Sequence, residues 1–397
     1  MTERASVGIL PRLTISVPKG QRYSCQGCGS CCRWWPIDVT AAERNRLLAH
    51  DWASESPRLR GISLFEETKP RGGRQGKIQT AHIDGRCVFL EEDNRCLIHE
   101  VLGLEAKPAV CRRFPVRLAV RPEGLLAGAD YACRAVVQNE GEPFAELVAS
   151  VSEEFSEQGI TLAHVSEIET LAALAPGIVM PWAAYLVVES ALLDILTKPG
   201  HPVTMRLAAA GEFLAAMATD WSGRPLVDRD RAQEWLTRER IRDYSREFSA
   251  AEADHLAVTR PVAKLAPAIG GLESPHAHTS AIGSEAMGYA MAVAAETGSL
   301  YLSTLGETVD LRSAGGVTCD MDAPEFDGYL SRFLISYVMR KSLLQERDLK
   351  TGWKYLVTCF NLVQWYTRAS AFLSNRGRAG LDDLTTGIQV VEKAYVP

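Results

Sequence analysis

The chain lacks the short motifs by which the common nucleotide-binding and hydrolytic enzymes are recognised. It contains no G-x-x-x-x-G-K-[ST] phosphate loop, no G-x-G-x-x-G dinucleotide fingerprint, no H-E-x-x-H zinc motif and no G-x-S-x-G nucleophile turn. The C-x3-C-x2-C spacing expected of radical S-adenosylmethionine enzymes is missing as well. A methyltransferase with the usual doubly wound nucleotide fold is therefore unsupported.

Long apolar segments and an excess of basic charge are also missing. The start of the chain holds no apolar run of the ~7 to 15 residues that a secretory signal requires. The longest uncharged run, Thr170 to Val188, contains Pro176 and Pro181, so a buried loop and helix explains it better than a membrane span. The formal net charge is -6. We therefore expect a cytoplasmic protein that binds neither membrane nor nucleic acid.

The composition is that of a globular protein with more than one domain. The 397 residues are 46% hydrophobic and 23% charged, which excludes disordered and rod-like classes. Residues 1–140 show short strand patterns and turns, whereas residues 141–397 show long helical patterns. We predict an α+β fold in which a small cysteine-rich metal-binding domain, residues 1–140, precedes a mostly α-helical domain, residues 141–397.

Local signals predict the elements of both parts. Thr40 caps a helix over residues 41–50, and the turns Asp84-Gly85 and Pro122–Gly124 each join two strands. A short helix follows Lys107-Pro108 and must stop before Pro115. In the second part, helical patterns cover Pro143–Phe155, Pro181–Thr197, Pro202–Trp221, Asp228–Phe248, Ser284–Thr297, Leu330–Val338 and Leu384–Tyr395, with a loop-like interruption at Val258–Ser280 and a small hairpin within Tyr301–Ser313.

Cysteine is concentrated in one part of the chain. Of ten cysteines, only Cys319 and Cys359 lie outside residues 25–133. The other eight are the candidate metal ligands: Cys25, Cys28, Cys31, Cys32, Cys87, Cys96, Cys111 and Cys133. In a reducing cytosol, clustered thiols more often bind metal than form disulfides. A small domain with few buried apolar residues also usually needs a bound metal or another cross-link to be stable. A thiol–disulfide system and inert buried thiols are the alternatives.

The spacing of the first four cysteines suits a metal or cluster site. Two residues separate Cys25 from Cys28 and Cys28 from Cys31, so one loop can turn three thiolates inward. Adjacent side chains generally diverge, which predicts that either Cys31 or Cys32 serves a second centre or none. Eight thiolates divide into two four-ligand sites, and both zinc and a four-iron cluster accept four cysteines. His99 is an alternative to one sulfur.

With their flanking residues, these cysteines resemble a known family. The strings Cys25-Gln-Gly-Cys28-Gly-Ser-Cys31-Cys32, Cys96-Leu-Ile-His99 and Cys111-Arg-Arg-Phe114-Pro115 look like those of the YkgJ-like cysteine-cluster family, which has a zinc- or iron-chelating CxxCxxCC domain. The resemblance covers approximately residues 20–135 and implies that the eight cysteines are metal ligands. The family includes FliB-type flagellin lysine N-methylases, which are similar in having a cysteine-rich front and a helical rear.

The resemblance to FliB implies an alternative function. An iron–sulfur cluster of the 4Fe-4S type then takes part in methylating a protein lysine, with S-adenosylmethionine as donor and a protein such as flagellin as substrate. The resemblance assigns no catalytic residue in this chain. The competing hypothesis is a structural or chelating module, in which zinc holds the thin domain together and the rear domain binds a partner.

Two basic stretches without acidic residues accompany the cysteines. They offset the charge of a thiolate cluster, bind an anion such as a phosphate or a carboxylate, or form a solvated surface. Their basic residues are Lys107, Arg112, Arg113, Arg117 and Arg121 in one stretch and Lys69, Arg71, Arg74 and Lys77 in the other. Trp34 and Trp35 either shield the cluster from water or belong to the core, and the core is favoured.

Five further residues have chemistry that the cysteine site does not use. Glu189 is either a buried carboxylate with acid–base potential or, as we favour, a helix edge that reaches solvent. The loop pair His276 and His278 is favoured to be solvated rather than metal-binding. Cys359 is predicted to be a small core residue. The loop residue Cys319 is either an exposed thiol or incidental.

Overall fold

Short strands and short helices alternate through the first third of the chain, and long helices dominate the rest, in a computed structural model of the protein. The structure describes residues 13–33, 36–68, 76–122, 124–157, 171–221, 229–241, 244, 247–248, 298–302 and 304–396. Several predicted features lie outside these residues: Trp34, Trp35, Lys69, Arg71, Arg74, His276, His278, the segment 258–280 and the helix over 284–297. The predicted α+β class and the order of its two parts are confirmed.

The strands pair into small sheets rather than one large one. In chain order they are β1 (Leu13–Ile15), β2 (Arg22–Tyr23), β3 (Asp38–Val39), β4 (Phe65–Glu67), β5 (Ile78–Thr80), β6 (His82–Ile83), β7 (Arg86–Cys87), β8 (Val116–Arg121), β9 (Gly124–Ala129), β10 (Glu142–Pro143), β11 (Leu171–Ala175), β12 (Ile178–Pro181), β13 (Ser299–Leu302) and β14 (Glu307–Asp310). Two sheets have three strands, in the orders β1-β9-β8 and β3-β5-β4. The pairs β2–β10, β6–β7, β11–β12 and β13–β14 form the other sheets of the described residues.

The hairpin β8–β9 is the longest strand pair of the cysteine-rich part. Its antiparallel register runs from Val116 opposite Ala129 to Arg121 opposite Gly124, as the turn residues predict. Strand β1 adds to the other edge of β9 in parallel, with Leu13 opposite Leu125. All six residues of β9 are buried. Strand β9 therefore lies inside the molecule and connects its two parts, while β8 is only half-buried.

The predicted turn at Asp84-Gly85 is confirmed between β6 and β7. Asp84 has a φ of 49° and Gly85 a φ of 72°, so both adopt the positive angles of a tight hairpin turn. Strand β5 ends at Thr80 and β6 begins at His82, so Ala81 separates them, and β7 ends at Cys87. A bridge between Leu90 and Cys96 closes the next turn, which brings Cys96 back toward Cys87.

Thirteen α-helices fall within the described residues. They are α1 (Ala41–Leu48), α2 (Trp52–Glu55), α3 (Leu97–Leu102), α4 (Ala109–Arg113), α5 (Arg134–Gln138), α6 (Phe144–Glu157), α7 (Trp182–Leu196), α8 (Val203–Asp220), α9 (Arg229–Ile241), α10 (Leu311–Gly315), α11 (Pro324–Met339), α12 (Leu349–Leu373) and α13 (Leu381–Ala394). Short 3-10 turns cover Ser30–Cys32, Pro57–Leu59, Leu104–Ala106 and Ser342–Gln345. No described helix combines the length and the apolar character needed to cross a bilayer.

Helix boundaries follow the local signals in most places. Thr40 and Glu43 form a capping box at the start of α1, where the Thr40 hydroxyl accepts from the Glu43 N–H at 3.1 Å. The helix predicted over residues 228–248 ends before Tyr244, because that residue has a left-handed φ of 56°. The uncharged run before α7 is a β-hairpin, β11–β12, rather than the predicted loop, because Pro176-Gly177 makes a tight turn between two apolar strands.

The buried apolar residues form two separate clusters. The smaller cluster lies between α1 and α3 and includes Leu47, Trp52, Val88 and Phe89. The larger cluster joins the long helices and also takes in β9, Tyr131 and α5 from the cysteine-rich part. The division into domains 1–140 and 141–397 stays a prediction, and the larger cluster includes buried residues from both sides of residue 140.

The C-terminal helices α12 and α13 approach each other closely at a glycine. A Cβ on Gly387 would lie 2.5 Å from the Oγ1 of Thr367 and 2.7 Å from the carbonyl oxygen of Val363, so only glycine fits there. Helix α13 also packs on α5. This packing places the end of α13, with Glu392 and Lys393, beside hairpin β8–β9 and the cysteines.

Candidate metal centre

The first four cysteines lie on a tight loop that ends in a 3-10 turn. Gly27 and Gly29 adopt φ values of 62° and 68°, which residues with a side chain rarely adopt. The N–H of Cys32 donates to the carbonyl oxygen of Gly29 at 3.0 Å and closes the turn. A Cβ on Gly29 would lie 3.0 Å from the Cβ of Asn94, so the loop rests against the turn before Cys96. The sequence spacing and the glycines thus shape the loop that carries the first thiols, and the role of these thiols as metal ligands stays a prediction.

The four distal cysteines come from four different elements. Cys87 ends β7, while Cys96 and Cys133 immediately precede α3 and α5. From the sequence, each distal cysteine is expected at the end of a strand or helix. Cys111 instead lies in the middle of α4, which corrects that expectation. The cis peptide bond between Phe114 and Pro115 follows α4 and leads into β8. Each distal thiol therefore starts from a backbone position fixed by a separate element.

The eight thiols converge on one region, in two groups. Cys133 lies within electrostatic range of Cys28 and Cys31, and Tyr23 lies within range of Cys25, Cys31 and Cys133. We call Cys25, Cys28, Cys31 and Cys133 the loop group. Cys32 is near Cys87 and Cys111, and Cys87 and Cys111 are both near Cys96. We call Cys32, Cys87, Cys96 and Cys111 the core group.

The adjacent pair Cys31 and Cys32 joins the two groups. Their sulfur atoms are 3.7 Å apart, which is hydrogen-bond distance for sulfur. The hydrogen bond from Cys32 lowers the pKa of Cys31 to about 6, and the resulting thiolate raises the pKa of Cys32. Cys31 therefore carries charge at neutral pH. The thiolate is the form of cysteine that binds metals.

Burial acts in the opposite direction on the remaining enclosed thiols. It raises the pKa of Cys87 to about 11, and it also raises the pKa values of Cys111 and Cys133. A bound metal must displace those protons, so metal binding at these sites releases protons. Cys25 is the exposed member of the set and Cys87 the buried one.

Two lysines bring positive charge to the thiols from opposite ends of the chain. Burial would lower the pKa of Lys107, but the nearby Cys96 and Cys111 raise it above its usual range. Burial lowers the pKa of Lys393 to about 7, against the pull of Cys31 and Asp130. Lys107 thus supports the predicted role of the basic stretch in offsetting thiolate charge. Lys393, on α13, was missed because nothing in its local sequence links it to the cysteines.

Tyr23 and Asp130 are two further residues that the sequence patterns did not single out. The Tyr23 side chain hydrogen-bonds to Cys25, and burial raises the tyrosine pKa. Asp130 follows β9 and accepts a hydrogen bond from the Ala132 N–H at 2.8 Å. It lines the same cavity as the core group. The position of Asp130, three residues before Cys133, was the available signal.

A cavity of about 350 Å³ lies against the thiols. Its walls include Cys31 and all four sulfurs of the core group. Apolar side chains, among them Phe89, Ile98, Phe114 and Leu118, supply most of the remaining wall. Every lining residue comes from residues 31–130, so the cavity belongs to the cysteine-rich part alone. It offers space beside the sulfurs and limits the access of water to them.

Thiol groups are suitable ligands for zinc or an iron–sulfur cluster. In this structure, however, the thiols are spread around the cavity rather than gathered around one point. Soft thiolates select zinc and iron–sulfur clusters over magnesium or calcium. Among the residues that the structure describes, no three Cys, His, Asp or Glu side chains are arranged to hold one ion. Binding therefore requires the thiols to turn inward. His99 lines a second cavity of about 300 Å³ together with Cys25 and Cys96, so it stays an alternative ligand.

The other sequence candidates lie away from the thiols. Glu189 is buried and accepts from the Tyr185 hydroxyl at 2.7 Å and from the Lys341 ammonium at 2.6 Å, so the favoured solvent-facing assignment was wrong. Cys359 is a core residue, as predicted. Cys319 is buried as well, which excludes an exposed thiol.

The arginines of the basic stretch have separate partners. Arg112 donates to the carbonyl oxygens of Glu105 and Lys107, at 3.0 and 2.6 Å. Arg117 pairs with Glu392 at 3.2 Å. Lys77, from the other stretch, pairs with Asp38 on the surface. Only part of the predicted charge therefore faces the cysteines.

The structure thus places a thiol-rich part with short strands and turns ahead of a larger helical part. Residues 24–134 match the family model CxxCxxCC, whose description is "Putative zinc- or iron-chelating domain". The matched segment contains all eight clustered cysteines, and the match supports zinc or iron chelation by this part of the chain. No curated protein and no solved structure matches the chain.

Proposed function

We propose that the protein binds zinc or iron through two four-thiolate centres, one formed by the loop group and one by the core group. The observation that carries this proposal is that the thiols form two overlapping neighbourhoods, since Cys31 lies within electrostatic range of Cys133 on one side and of Cys87 and Cys111 on the other, and its sulfur contacts that of Cys32. Four thiolates are the complete ligand set of a structural zinc ion and of a 4Fe-4S cluster. The sulfur atoms of Cys31 and Cys32 lie 3.7 Å apart rather than diverging as predicted, so in this proposal the adjacent pair is the point at which the two centres meet.

Charge balance supports two centres in one small region. Eight thiolates gathered without compensation would repel one another strongly in a partly buried site. A divalent or cluster metal at each group supplies most of the compensation, and Lys107 supplies positive charge at the edge. Lys393, whose pKa burial lowers to about 7, adds only part of a charge at neutral pH. Lys107 is near both Cys31 and Cys32, so it serves the junction between the groups.

The metal itself is tested on protein purified without oxygen and without added metal. A zinc protein should be colourless and carry about two zinc ions per chain, one for each four-cysteine site. An iron–sulfur protein should absorb broadly near ~400 nm and contain iron and acid-labile sulfide in equal amounts. Protein that carries neither metal, and that takes up neither on reconstitution, would contradict the proposal.

A second proposal is that an iron–sulfur centre here assists methyl transfer from S-adenosylmethionine to a lysine of a protein such as flagellin. Two observations favour it: the resemblance to FliB-type methylases, and the apolar cavity of about 350 Å³ beside the core group. That volume lies within the ~300–1,000 Å³ of sites that bind small organic ligands.

Methyl transfer is measured by incubating the reconstituted protein with labelled S-adenosylmethionine and flagellin under anaerobic conditions. Label on flagellin lysines that requires both iron and sulfide would support the enzyme. Zinc as the native metal, or iron-loaded protein without transfer, would leave the chelating module as the function. The control is flagellin incubated with the Cys111→Ser variant, which lacks one thiol of the core group.

A further inference from the structure

A third cavity, of about 230 Å³, lies on hairpin β8–β9, and no cysteine lines it. Arg117 and Arg121 of β8 line it, and Arg340 reaches it from the end of α11. Ser16, Ser342 and Gln345 add polar groups to the wall. The described lining contains three arginines and no acidic residue. None of the eight cysteines takes part, so this site is separate from the metal centre.

The arginines are held in place by contacts behind the cavity. Arg340 is buried, donates to the carbonyl oxygen of Ala129 at 3.1 Å and pairs with Glu392. Arg117 pairs with the same carboxylate at 3.2 Å and lies 3.9 Å from Asp130. Neither Glu392 nor Asp130 lines the cavity. Glu392 and Asp130 thus hold the guanidinium groups of Arg117 and Arg340 without lining the cavity themselves.

The backbone of β9 makes room for the deepest arginine. A Cβ on Gly128 would lie 2.6 Å from the Cγ of Arg340, so glycine allows this side chain to lie against the strand. The Nε of Arg340 is buried without a hydrogen-bond partner among the described residues. Leaving a buried donor unpaired is unfavourable, and an acceptor on a bound ligand would satisfy it.

We propose that this cavity binds a small oxyanion, a phosphate or carboxylate group, between the guanidinium groups of Arg117, Arg121 and Arg340. Planar guanidinium groups bind both kinds of oxyanion through paired hydrogen bonds. The serine hydroxyls and the Gln345 amide supply further donors. The volume lies below the ~300 Å³ at which drug-sized ligand sites begin, so the ligand is small or only its anionic group enters.

Calorimetric titration of the full-length, metal-loaded protein tests this proposal, with sodium phosphate and sodium acetate as the two probes at constant ionic strength. We expect saturable binding of at least one probe. Stronger binding of phosphate identifies a phosphate site, and stronger binding of acetate identifies a carboxylate site. Absence of saturable binding by both probes overturns the proposal.

Two variants and one control locate the site. Arg121→Gln should weaken binding at least ~10-fold, because it removes one of the three guanidinium groups. Ala119→Leu should weaken it by filling the cavity, with all charges retained, and it serves if the first variant folds poorly. Arg60→Gln removes the same charge from an exposed position outside the cavity and should bind like the parent. Equal binding by Arg121→Gln and the parent, or equal weakening in Arg60→Gln, overturns the assignment.

Discussion

Cys28→Ser and Cys111→Ser should each remove about half of the bound metal, while Cys359→Ala removes none. Cys28 belongs to the loop group and Cys111 to the core group, so each serine disables one four-thiolate centre and leaves the other. Serine is a poor substitute because its hydroxyl does not ionise as a thiol does. Cys359 lies in the core of α12, away from both groups, and is the matched control. Metal content is measured by elemental analysis of the purified variants.

The two serine variants should also loosen different parts of the protein. The core group ties Cys32, Cys87 and Cys96 to the small apolar cluster, which has only eleven buried residues and depends on the metal as a staple. Hydrogen exchange should therefore accelerate over residues 41–106 in Cys111→Ser, while α7, α8, α12 and α13 keep their protection. In Cys28→Ser the loss should be confined to the loop around residues 24–33, since Cys133 and α5 rest on the larger cluster.

The stoichiometry decides between one centre and two. If a single centre with four ligands were present, each variant would lose either all of the metal or none of it, according to whether its cysteine is a ligand. Full metal content in both variants would contradict the ligand assignment altogether. Loss of about half in each is the result that two centres require.

Glu392→Gln should destabilise the protein by about 3–5 kcal/mol, the usual cost of removing one partner from a buried ion pair. The Glu392 side chain is 1% exposed and accepts from Arg340 and Arg117, so the neutral amide leaves two guanidinium groups without their shared carboxylate. These contacts join α13 to α11 and β8. Urea denaturation, followed by the loss of helical signal with the metal retained, measures the difference in the free energy of unfolding between the parent and Glu392→Gln.

The difference in stability between the parent and Glu392→Gln should depend on pH in a defined direction. Burial alone would raise the Glu392 pKa, but Arg340 and then Arg117 hold it below its usual range. A carboxyl with a lowered folded-state pKa contributes stability above its unfolded pKa of about 4.3, and loses it as the pH falls through the folded-state value. The stability gap between parent and Glu392→Gln should therefore narrow in acid. Glu325→Gln, at an exposed carboxylate, should change stability little at any pH.

Local signals were sufficient for most elements and for the ligand candidates. Cap residues, proline positions and the Asp84-Gly85 turn act within a few residues, so the boundaries of α1, α4 and the β8–β9 hairpin could be predicted. The eight cysteines were recognisable because their spacing and residue type carry the metal chemistry. The α+β order followed from the change in periodicity near residue 140.

Contacts between distant parts of the chain could not be predicted in the same way. Lys393 reaches the thiols through the packing of α13 on α5, and Glu189 is buried because Lys341, far along the chain, supplies its charge partner. The partition of the thiols depends on how four separate elements meet the first loop. The hairpin β11–β12 was missed because a short apolar run fits a strand as well as a buried loop.

Hairpin β8–β9 belongs to the cysteine-rich part and also packs in the helical part. This limits the transfer of the cysteine-rich part to another protein. The matched segment ends at residue 134, yet β9, Tyr131 and α5 are interior parts of the helical body, and β1 closes the sheet from the other side. Excision after residue 140 would expose Leu125, Tyr131 and Val137 to water. A fusion partner would have to supply an apolar surface of matching shape in place of α11 and α13. The unit is therefore portable only together with a compatible body, and grafting it onto an unrelated carrier should give insoluble protein.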